Sequence, residues 1–502
     1  MTSLYTTFST GFPRDRSRLL LRAPDGSSFS YADAESESAR IACFLREQGL
    51  RPGDRVTVQA PKSPQIVWLY LACLRAGLVY HPLNDAYRSS ELDYFLRDAN
   101  PKIVVCAPER ESEYAQLTTD LDCRVLTIDA RGRGSLGDGY ADAEPNVASV
   151  DCDGDTTAVL LYSSGTTGKP KGAMLTHGNL AANTATLVDY WGFTAADRLL
   201  HALPLYHAHG LFVGLGCVLL SGASMNFLAK FDAETVIRQL ADSTVMMGIP
   251  TFYTRLLADP AFDRRACANL RLFISGSAPL LADTHREFSR RTGQEILERY
   301  GMTETSMLSS NPLSGERRPG SVGYPLPGVE IRVVDAQDCP VGTGTVGEIQ
   351  VRGPNVFKGY WGMPDRTAQE FTADGYFRTG DQGLFADDGY LNILGRNKDM
   401  IITGGLNVYP KEVELALDEL DGIIESAVIG VPHADFGEGV VAIIVPETSQ
   451  EPAESDIIAT LRDRLANFKL PKRVILVDEL PRNTMGKVQK NELRQVYAGT
   501  FS

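Results

Sequence analysis

The sequence predicts an α/β fold in which a large N-terminal domain is followed by a small α+β domain. Strands alternate with helices within residues 28–106 and again within 178–275, which predicts two doubly wound lobes with largely parallel sheets. Short strands between Gly, Pro and Asp turns at 321–394 predict a small antiparallel, barrel-like subdomain. We place the domains at 1–395 and 396–502, because a polar segment separates a final stretch long enough to fold alone.

Local patterns predict the individual elements along the chain. Apolar periodicity ending at Gly49 predicts a helix over 28–50, entered after Phe29-Ser-Tyr31, and alternation predicts a strand at 55–59. Residues 107–155 are acidic and Gly-rich, so we expect a connection with one short strand there. The other predicted helices lie at 65–76, 91–98, 178–190, 210–220, 232–241, 251–258, 410–420 and 454–466. The other predicted strands lie at 79–82, 102–106, 124–127, 158–161, 198–203, 244–249, 270–275, 331–334, 348–351, 390–393, 425–431, 440–445 and 472–477.

Composition limits the function classes. The 502 residues are 43% hydrophobic and 22% charged, as in ordinary globular enzymes, and the net charge is −14. No dense Lys/Arg run is present, so nucleic acid is not an expected partner. Eight scattered cysteines without a Cys-x-x-Cys pair favour a reducing, cytoplasmic location over a zinc site or a disulfide framework. No apolar stretch reaches the roughly 20 residues of a spanning helix, and the N-terminus lacks a signal-peptide core, so no membrane association is expected.

One loop carries the strongest chemical signal. After the apolar run at 158–161, residues 162–172 read Tyr-Ser-Ser-Gly-Thr-Thr-Gly-Lys-Pro-Lys-Gly. Glycines let backbone N–H groups approach an anion, hydroxyls donate hydrogen bonds and lysines add charge, so the loop predicts a polyphosphate site. It is not a Walker A loop, because Ser163 and Pro170 stand where that motif needs Gly and Ser or Thr. The residues expected to bind the phosphates are Ser163, Ser164, Gly165, Thr166, Thr167, Gly168, Lys169 and Lys171.

Four further motifs follow in a fixed order, at 300–304, 376–381, 395–399 and 481–487. Together with the loop they resemble the AMP-forming acyl-adenylate superfamily, which includes acyl-CoA synthetases, luciferases and the adenylation domains of peptide synthetases. The resemblance covers almost the whole chain. It implies ATP and CoA as co-substrates, Mg²⁺ as cofactor and a mobile C-terminal domain. It also implies a two-step reaction, in which a carboxylate attacks the α-phosphate of ATP and a CoA thiolate then displaces AMP.

The chemistry of these motifs agrees with such a reaction. Glu304, expected in a turn-like segment after a helix, is a carboxylate that suits Mg²⁺ beside a polyphosphate. Tyr300 offers a flat face for adenine, and Asp381, expected at a turn, can accept hydrogen bonds from the ribose hydroxyls. Lys487 is an ammonium on a separate domain that can balance charge developing around the α-phosphate.

The resemblance implies further roles by position. Catalytic and metal-binding roles are implied for Thr303, Glu304, Lys487 and Thr166. Lys398 is the implied hinge, and Gly404 and Gly405 are implied to line the pantetheine channel. Beyond the loop, the implied ATP contacts are Ser277, Ala278, Glu298, Arg299, Tyr300, Gly301, Met302, Thr303, Asp381, Arg396 and Lys487.

Two arginines determine the expected acid. Arg255 and Arg286 lie in segments expected near the acid pocket, together with His207 and Ser277. Arginine binds a carboxylate in a bidentate manner, so a second carboxylate on the substrate would explain both, although a lone arginine more often pairs with a surface acid. The segments at 207–210, 275–279 and 299–302 also resemble those of malonyl-CoA synthetases. This implies malonate, with methylmalonate tolerated because an extra methyl group changes binding by only ~1–3 kcal/mol.

Three other functions stay open. A ligase for short- or medium-chain carboxylic acids would leave Arg255 and Arg286 facing solvent. A freestanding adenylation module would load a carrier protein instead of CoA. A non-catalytic ATP-binding protein is disfavoured by the combination of Glu304, Asp381 and Lys487. We also predict that a lysine acetyltransferase can switch the enzyme off, because acetylation would remove the charge of Lys487 from its exposed turn.

Overall fold

A computed structural model describes residues 3–23, 25–145, 149–163, 170–404, 406–447, 453–462 and 464–501. It confirms the predicted α/β class, with a large N-terminal and a small C-terminal domain. Among the described residues, no helix is long and apolar enough to cross a membrane. The α-helices are α1 (Leu4–Gly11), α2 (Tyr31–Glu47), α3 (Pro64–Ala76), α4 (Ser89–Ala99), α5 (Glu111–Leu117), α6 (Ser135–Tyr140), α7 (His177–Tyr190), α8 (Leu215–Ser221), α9 (Ala233–Leu240), α10 (Pro250–Leu257), α11 (Ala282–Thr292), α12 (Pro364–Glu370), α13 (Pro410–Asp418), α14 (Glu454–Arg462) and α15 (Lys490–Val496).

The strands form four sheets. In chain order they are β1 (Leu19–Arg22), β2 (Ser28–Ser30), β3 (Arg55–Gln59), β4 (Val79–Pro82), β5 (Ile103–Cys106), β6 (Arg124–Thr127), β7 (Thr157–Ser163), β8 (Lys171–Thr176), β9 (Arg198–His201), β10 (Ser224–Phe227), β11 (Val245–Gly248), β12 (Leu272–Ser275), β13 (Ile296–Met302), β14 (Ser306–Ser310), β15 (Tyr324–Pro325), β16 (Glu330–Val334), β17 (Gly347–Arg352), β18 (Phe377–Phe385), β19 (Leu391–Arg396), β20 (Ile401–Thr403), β21 (Leu406–Val408), β22 (Ile423–His433), β23 (Gly437–Pro446) and β24 (Arg473–Leu476).

The two predicted lobes correspond to two sheets with parallel centres. The first sheet has the order β6-β5-β3-β4-β7-β8 and is parallel except for β8. The second has the order β15-β14-β13-β12-β11-β9-β10-β1-β2, with antiparallel pairs only at its two ends. Helix α3 is buried along most of its length, because its apolar residues occur on every side and it packs against other helices in the large core.

Several sequence predictions need correction. The helix predicted within 28–50 begins at Tyr31, near its expected entry, because Ser30 and Asp33 form a capping box; the strand at 28–30, which pairs with β1 in the second sheet, was not predicted. The segment 107–155 contains α5 and α6 as well as the expected strand; helices of so few residues show too little periodicity to be detected.

The remaining sheets belong to the subdomain and to the C-terminal part. Strands β16 to β19 form an antiparallel sheet in sequence order, as predicted for 321–394. The last sheet contains β20 to β24. Separate hydrophobic clusters lie on its two faces, formed by residues 401–474 and 427–501. Strand β19 crosses the predicted domain boundary at 395/396, whose position stays a prediction.

Candidate active site

The predicted phosphate loop connects two antiparallel strands at an edge of the first sheet. Ser163 at the end of β7 pairs with Lys171 at the start of β8, so the buried strand expected before the loop is present. Lys171 Nζ lies 3.4 Å from Glu370 Oε1 and 4.3 Å from the centre of the Tyr360 ring. Ser164, Gly165, Thr166, Thr167, Gly168 and Lys169 lie outside the described residues, and their contacts stay predictions.

Glu304 is held beside the first residue of this loop by two hydroxyl groups. Ser163 Oγ donates to Glu304 Oε1 over 2.7 Å, and the Tyr360 hydroxyl donates to the same oxygen over 3.1 Å. Glu304 follows β13, not a helix as the sequence suggested, and is buried. The described residues contain no group of three or more His, Cys, Asp or Glu that could hold a metal alone. A single buried carboxylate beside the predicted phosphate loop fits Mg²⁺ bound through one carboxylate together with phosphate oxygens and water.

A second polar cluster lies where β13, β18 and β19 meet. The Tyr300 hydroxyl donates to Asp381 Oδ2 over 2.5 Å, and Arg396 Nε lies 3.1 Å from Asp381 Oδ1. Burial raises the pKa of Tyr300, and the neighbouring Asp381 charge raises it further. Asp381 lies within β18 rather than at a turn, and its backbone N–H donates to Thr379 Oγ1. The groups predicted to bind adenine and ribose thus lie together.

Arg299 is a buried cation with free hydrogen-bonding capacity. The residue is 5% exposed, and its Nε and Nη2 have no hydrogen-bond partner among the described residues. Its guanidinium lies directly against Gly276, where an added Cβ would stand 2.3 Å from Arg299 Cζ. Burial lowers the pKa of Arg299 to about 9. A buried guanidinium in this state favours an anionic ligand, because an unpaired charge in a protein interior is costly.

Two histidines adjoin this guanidinium. His209 begins a π-helix (His209–Gly214), a form often found at functional sites, and its Nδ1 lies 3.3 Å from Ser277 Oγ. The backbone N–H of His209 donates to His207 Nδ1. Burial lowers the pKa of His207 to about 3, assisted by the charges of Lys487 and Arg299, and the pKa of His209 is also well below its usual value. Both rings are therefore neutral near pH 7.

Ser277 has an unusual backbone in this region. Its φ of +71° places it in the left-handed region, which is uncommon for a residue other than glycine. Such a conformation turns the chain sharply after β12 and places the Ser277 hydroxyl beside His209. Ser277 thus lies beside His209, whose backbone N–H donates to His207, another residue predicted to contact the acid.

Lys487 enters from the C-terminal domain. Its side chain is exposed, and partial loss of water beside the neighbouring protein groups lowers its pKa to about 8. The charges of Arg396 and Arg299 lower the pKa further, whereas Asp381 and Glu304 raise it. Lys487 therefore lies among the residues of both polar clusters, as expected for the arrangement that forms the adenylate.

Arg255 and Arg286 occupy exposed positions on α10 and α11, which argues against their predicted contact with the acid. Both side chains are exposed, and Arg286 pairs with Asp283 one turn earlier on α11. The reason is helical geometry: α10 and α11 bury their apolar faces, and positions 255 and 286 lie outside those faces. Arg299, predicted to contact ATP, is the arginine whose charge reaches His207.

The other predicted residues differ in burial and in their place in the fold. Glu298 is buried, its pKa is raised to about 8 by burial, and it accepts a hydrogen bond from the Gly320 N–H over 3.0 Å. Lys398 lies in a short 3₁₀ turn (Asn397–Asp399) between the two domains, and Gly404 (φ +57°) follows β20. Gly405 lies outside the described residues. The remaining predicted ATP contacts are partly buried, namely Ala278, Gly301, Met302 and Thr303.

Two features of the candidate site were not predicted from the sequence. His209 was seen in its motif but received no role, although it stands two residues after His207. Arg299 was assigned to the nucleotide because it precedes the Tyr300 motif, but its free guanidinium and the glycine beneath it become visible only in three dimensions.

Comparisons with known proteins agree on one family. The AMP-binding enzyme family matches residues 9–361, and the AMP-binding enzyme C-terminal domain matches residues 412–487. ATP-bound MatB from Rhodopseudomonas palustris is similar over 100% of both chains, with 51% identity and a TM-score of 0.98. A malonate–CoA ligase from Arabidopsis thaliana is 35% identical over 95% of this chain and 86% of its own length. A feruloyl-CoA synthase from Amycolatopsis sp is 38% identical over 94% of each.

Proposed function

Because this chain belongs to the AMP-binding enzyme family and is an AMP-forming acyl-CoA ligase, we propose that its acid is malonate. It converts malonate, ATP and CoA to malonyl-CoA, AMP and diphosphate, and methylmalonate is a second substrate. The observation that carries the proposal is the buried Arg299 guanidinium, with Nε and Nη2 free beside two neutral histidines. A monocarboxylic acid would leave this cation without a counter-charge, whereas malonate supplies a second carboxylate.

The electrostatic neighbourhood favours a short diacid. The charges of Arg299 and Lys487 both lower the pKa of His207, so both cations lie near this ring. One carboxylate of malonate binds Arg299, and the other faces the α-phosphate near Lys487. The malonate–CoA ligase of Arabidopsis thaliana supports this choice, whereas the similar feruloyl-CoA synthase acts on a different acid.

The first step forms malonyl adenylate. A carboxylate oxygen of malonate attacks the α-phosphorus, and the bond from that phosphorus to the β-phosphate oxygen breaks, so that diphosphate leaves with the electron pair. Lys487 balances charge on the carboxylate and the α-phosphate, and Thr303 donates to the α-phosphate. Glu304 and Thr166 would hold Mg²⁺, which supplies positive charge to the departing diphosphate.

The second step forms the thioester. The C-terminal domain rotates about Lys398, which withdraws Lys487 and brings Gly404 and Gly405 to the pantetheine channel. The CoA thiolate attacks the acyl carbon, the bond to the phosphate oxygen breaks, and AMP leaves. The thiol proton is lost to solvent.

An acid panel tests the proposal. AMP release is measured with malonate, methylmalonate, acetate, octanoate and ferulate, and the acyl-CoA product is identified by mass spectrometry. Malonate is expected to give the highest kcat/KM, and a preference for octanoate or ferulate would overturn the proposal. AMP release without acyl-CoA, accompanied by acylation of a carrier protein, would support the adenylation-module alternative instead.

Two further predictions accompany this function. The cytoplasm is the proposed compartment, because all eight cysteines are free thiols; imaging of a tagged full-length protein tests it. Acetylation of Lys487 stays a prediction that is compatible with its exposed side chain. Undiminished adenylation by protein acetylated at Lys487 would reject it.

A further inference from the structure

Lys487 stands on a rigid turn of the C-terminal domain, which we call the docking hairpin (residues 482–488). Arg482 and Val488 pair as a β-bridge, and the Asn483 N–H donates to the Lys487 carbonyl over 3.0 Å. Asn483 Oδ1 accepts hydrogen bonds from the backbone N–H groups of Met485 and Lys487, each over 3.0 Å. Internal hydrogen bonds of this kind hold the positions of neighbouring residues relative to one another.

The docking hairpin inserts an apolar side chain into the N-terminal domain. Met485 is 6% exposed and packs within the large core cluster, whose other buried members all lie between residues 4 and 391. The clusters of the C-terminal domain itself do not include it. Gly486 lies against α10, since an added Cβ would stand 3.2 Å from Thr251 Cγ2. Burial of Met485 thus depends on the present arrangement of the two domains.

Polar contacts across the domains flank this contact. Asn84 Nδ2, after β4 in the first lobe, donates to Thr484 Oγ1 over 3.0 Å. The Tyr206 hydroxyl also lies near the Thr484 side chain, which lowers the pKa of Tyr206 against the effect of burial. These polar contacts and the Met485 contact lie within three residues of Lys487.

We propose that Met485 and Thr484 are positioning residues that hold Lys487 in the adenylating arrangement and bias the domain equilibrium towards it. The C-terminal domain cannot rotate while Met485 is buried in the N-terminal core. Removing these contacts lowers the population of the adenylating arrangement and raises the population of the thioester-forming arrangement by the same amount. The first half-reaction therefore depends on Met485 and the second does not.

This inference rests on the two-step mechanism of the proposed function but not on malonate as the acid. The assays use whichever acid the wild-type enzyme activates best in the acid panel. A wrong choice of acid therefore changes the substrate used and leaves this test intact.

Met485→Ala is tested in the two half-reactions separately. Acid-dependent exchange of labelled diphosphate into ATP reports adenylation, and acyl-CoA formation from supplied acyl adenylate reports the second step. Losing the burial of one methionine side chain is expected to reduce the exchange rate about tenfold to a hundredfold, with the second step unchanged or faster. Met485→Leu, which preserves volume, is expected to restore exchange.

Two matched comparisons separate positioning from general damage. Leu480→Ala removes an apolar side chain buried in the C-terminal domain's own core, and it is expected to lower the melting temperature without a selective loss of exchange. Thr484→Val and Asn84→Ala remove the same hydrogen bond from opposite domains, and each is expected to lower exchange selectively by about threefold to tenfold. If Met485→Ala does not fold, these two variants decide the question. Exchange within twofold of wild type in the folded variants, or an equal loss in both half-reactions, would overturn the proposal.

Discussion

Ser163 donates a 2.7 Å hydrogen bond to Glu304, a residue 141 positions further along the chain. The bond joins the end of β7 in the first sheet to the segment after β13 in the second. The carboxylate proposed to bind Mg²⁺ is therefore fixed between the two lobes, and its position depends on how both sheets pack.

The first prediction concerns metal dependence. Glu304→Gln preserves the size of the side chain and an oxygen that accepts from Ser163, but it removes the negative charge. We expect the Mg²⁺ concentration for half-maximal adenylation to rise about 10-fold to 100-fold, as for other changes at metal sites. A Mg²⁺ titration of diphosphate exchange measures it, with the exposed Glu330→Gln as control. An unchanged titration would remove Glu304 from the metal site.

The second prediction compares two arginines. Arg299→Met removes the buried cation while keeping apolar bulk, and loss of a charged hydrogen-bonding partner of a carboxylate costs about 2–5 kcal/mol. We expect kcat/KM for malonate to fall by roughly 30-fold or more, with KM for ATP nearly unchanged. Arg286→Met, on the exposed face of α11, is the matched control and should leave both constants unaltered. If Arg286→Met is the damaging change, the assignment of the acid site is wrong.

The third prediction uses the glycine beneath Arg299. Gly276→Ala places a Cβ 2.3 Å from Arg299 Cζ, so the guanidinium must move. We expect KM for malonate to increase by about tenfold or more, because a displaced bidentate group loses hydrogen bonds to the acid. Steady-state kinetics with varied malonate measures the change. Gly342→Ala, where an added Cβ meets nothing within 4 Å, controls for the substitution itself, and equal kinetics in the two variants would contradict the prediction.

The fourth prediction concerns pH. The pKa of Lys487 is lowered to about 8, so its ammonium is present below that pH and is lost as the pH rises through it. Because adenylation needs the charged form, kcat/KM for the first half-reaction should fall above about pH 8, a profile that reports the free enzyme. Lys487→Arg keeps its charge throughout, so any residual exchange should lose this alkaline decline. A variant profile that still declines near pH 8 would assign the titration to another group.

Much of the fold was predictable because its elements have strong local patterns. The alternation of apolar strands and helices gave both lobes, and β7 was identified directly before the phosphate loop. Short helices such as α5 were missed, and so was the short strand at 28–30 that pairs with β1. A very short strand depends on pairing with another strand, and its own few residues show no recognisable local pattern.

The residues of the candidate site were predictable where they belong to sequence motifs that occur in a fixed order. Glu304, Asp381 and Lys487 were identified from their motifs, and the structure brings their charges within mutual influence. The acid pocket was assigned to exposed arginines because a sequence does not give the burial of a particular guanidinium. Arg299 differs from Arg286 only in what surrounds it, which depends on the packing of β12 and β13.

The free guanidinium edge of Arg299 has a consequence for selectivity. If the acid binds at Arg299 as proposed, a fatty acid there would strip water from the guanidinium and offer no second carboxylate in return, so its rejection would not require a steric barrier. Selectivity of this kind depends on the charge of the substrate rather than on its shape. Under the proposed assignment, diacids of slightly different bulk are expected to compete with one another far more effectively than any monoacid of matching length.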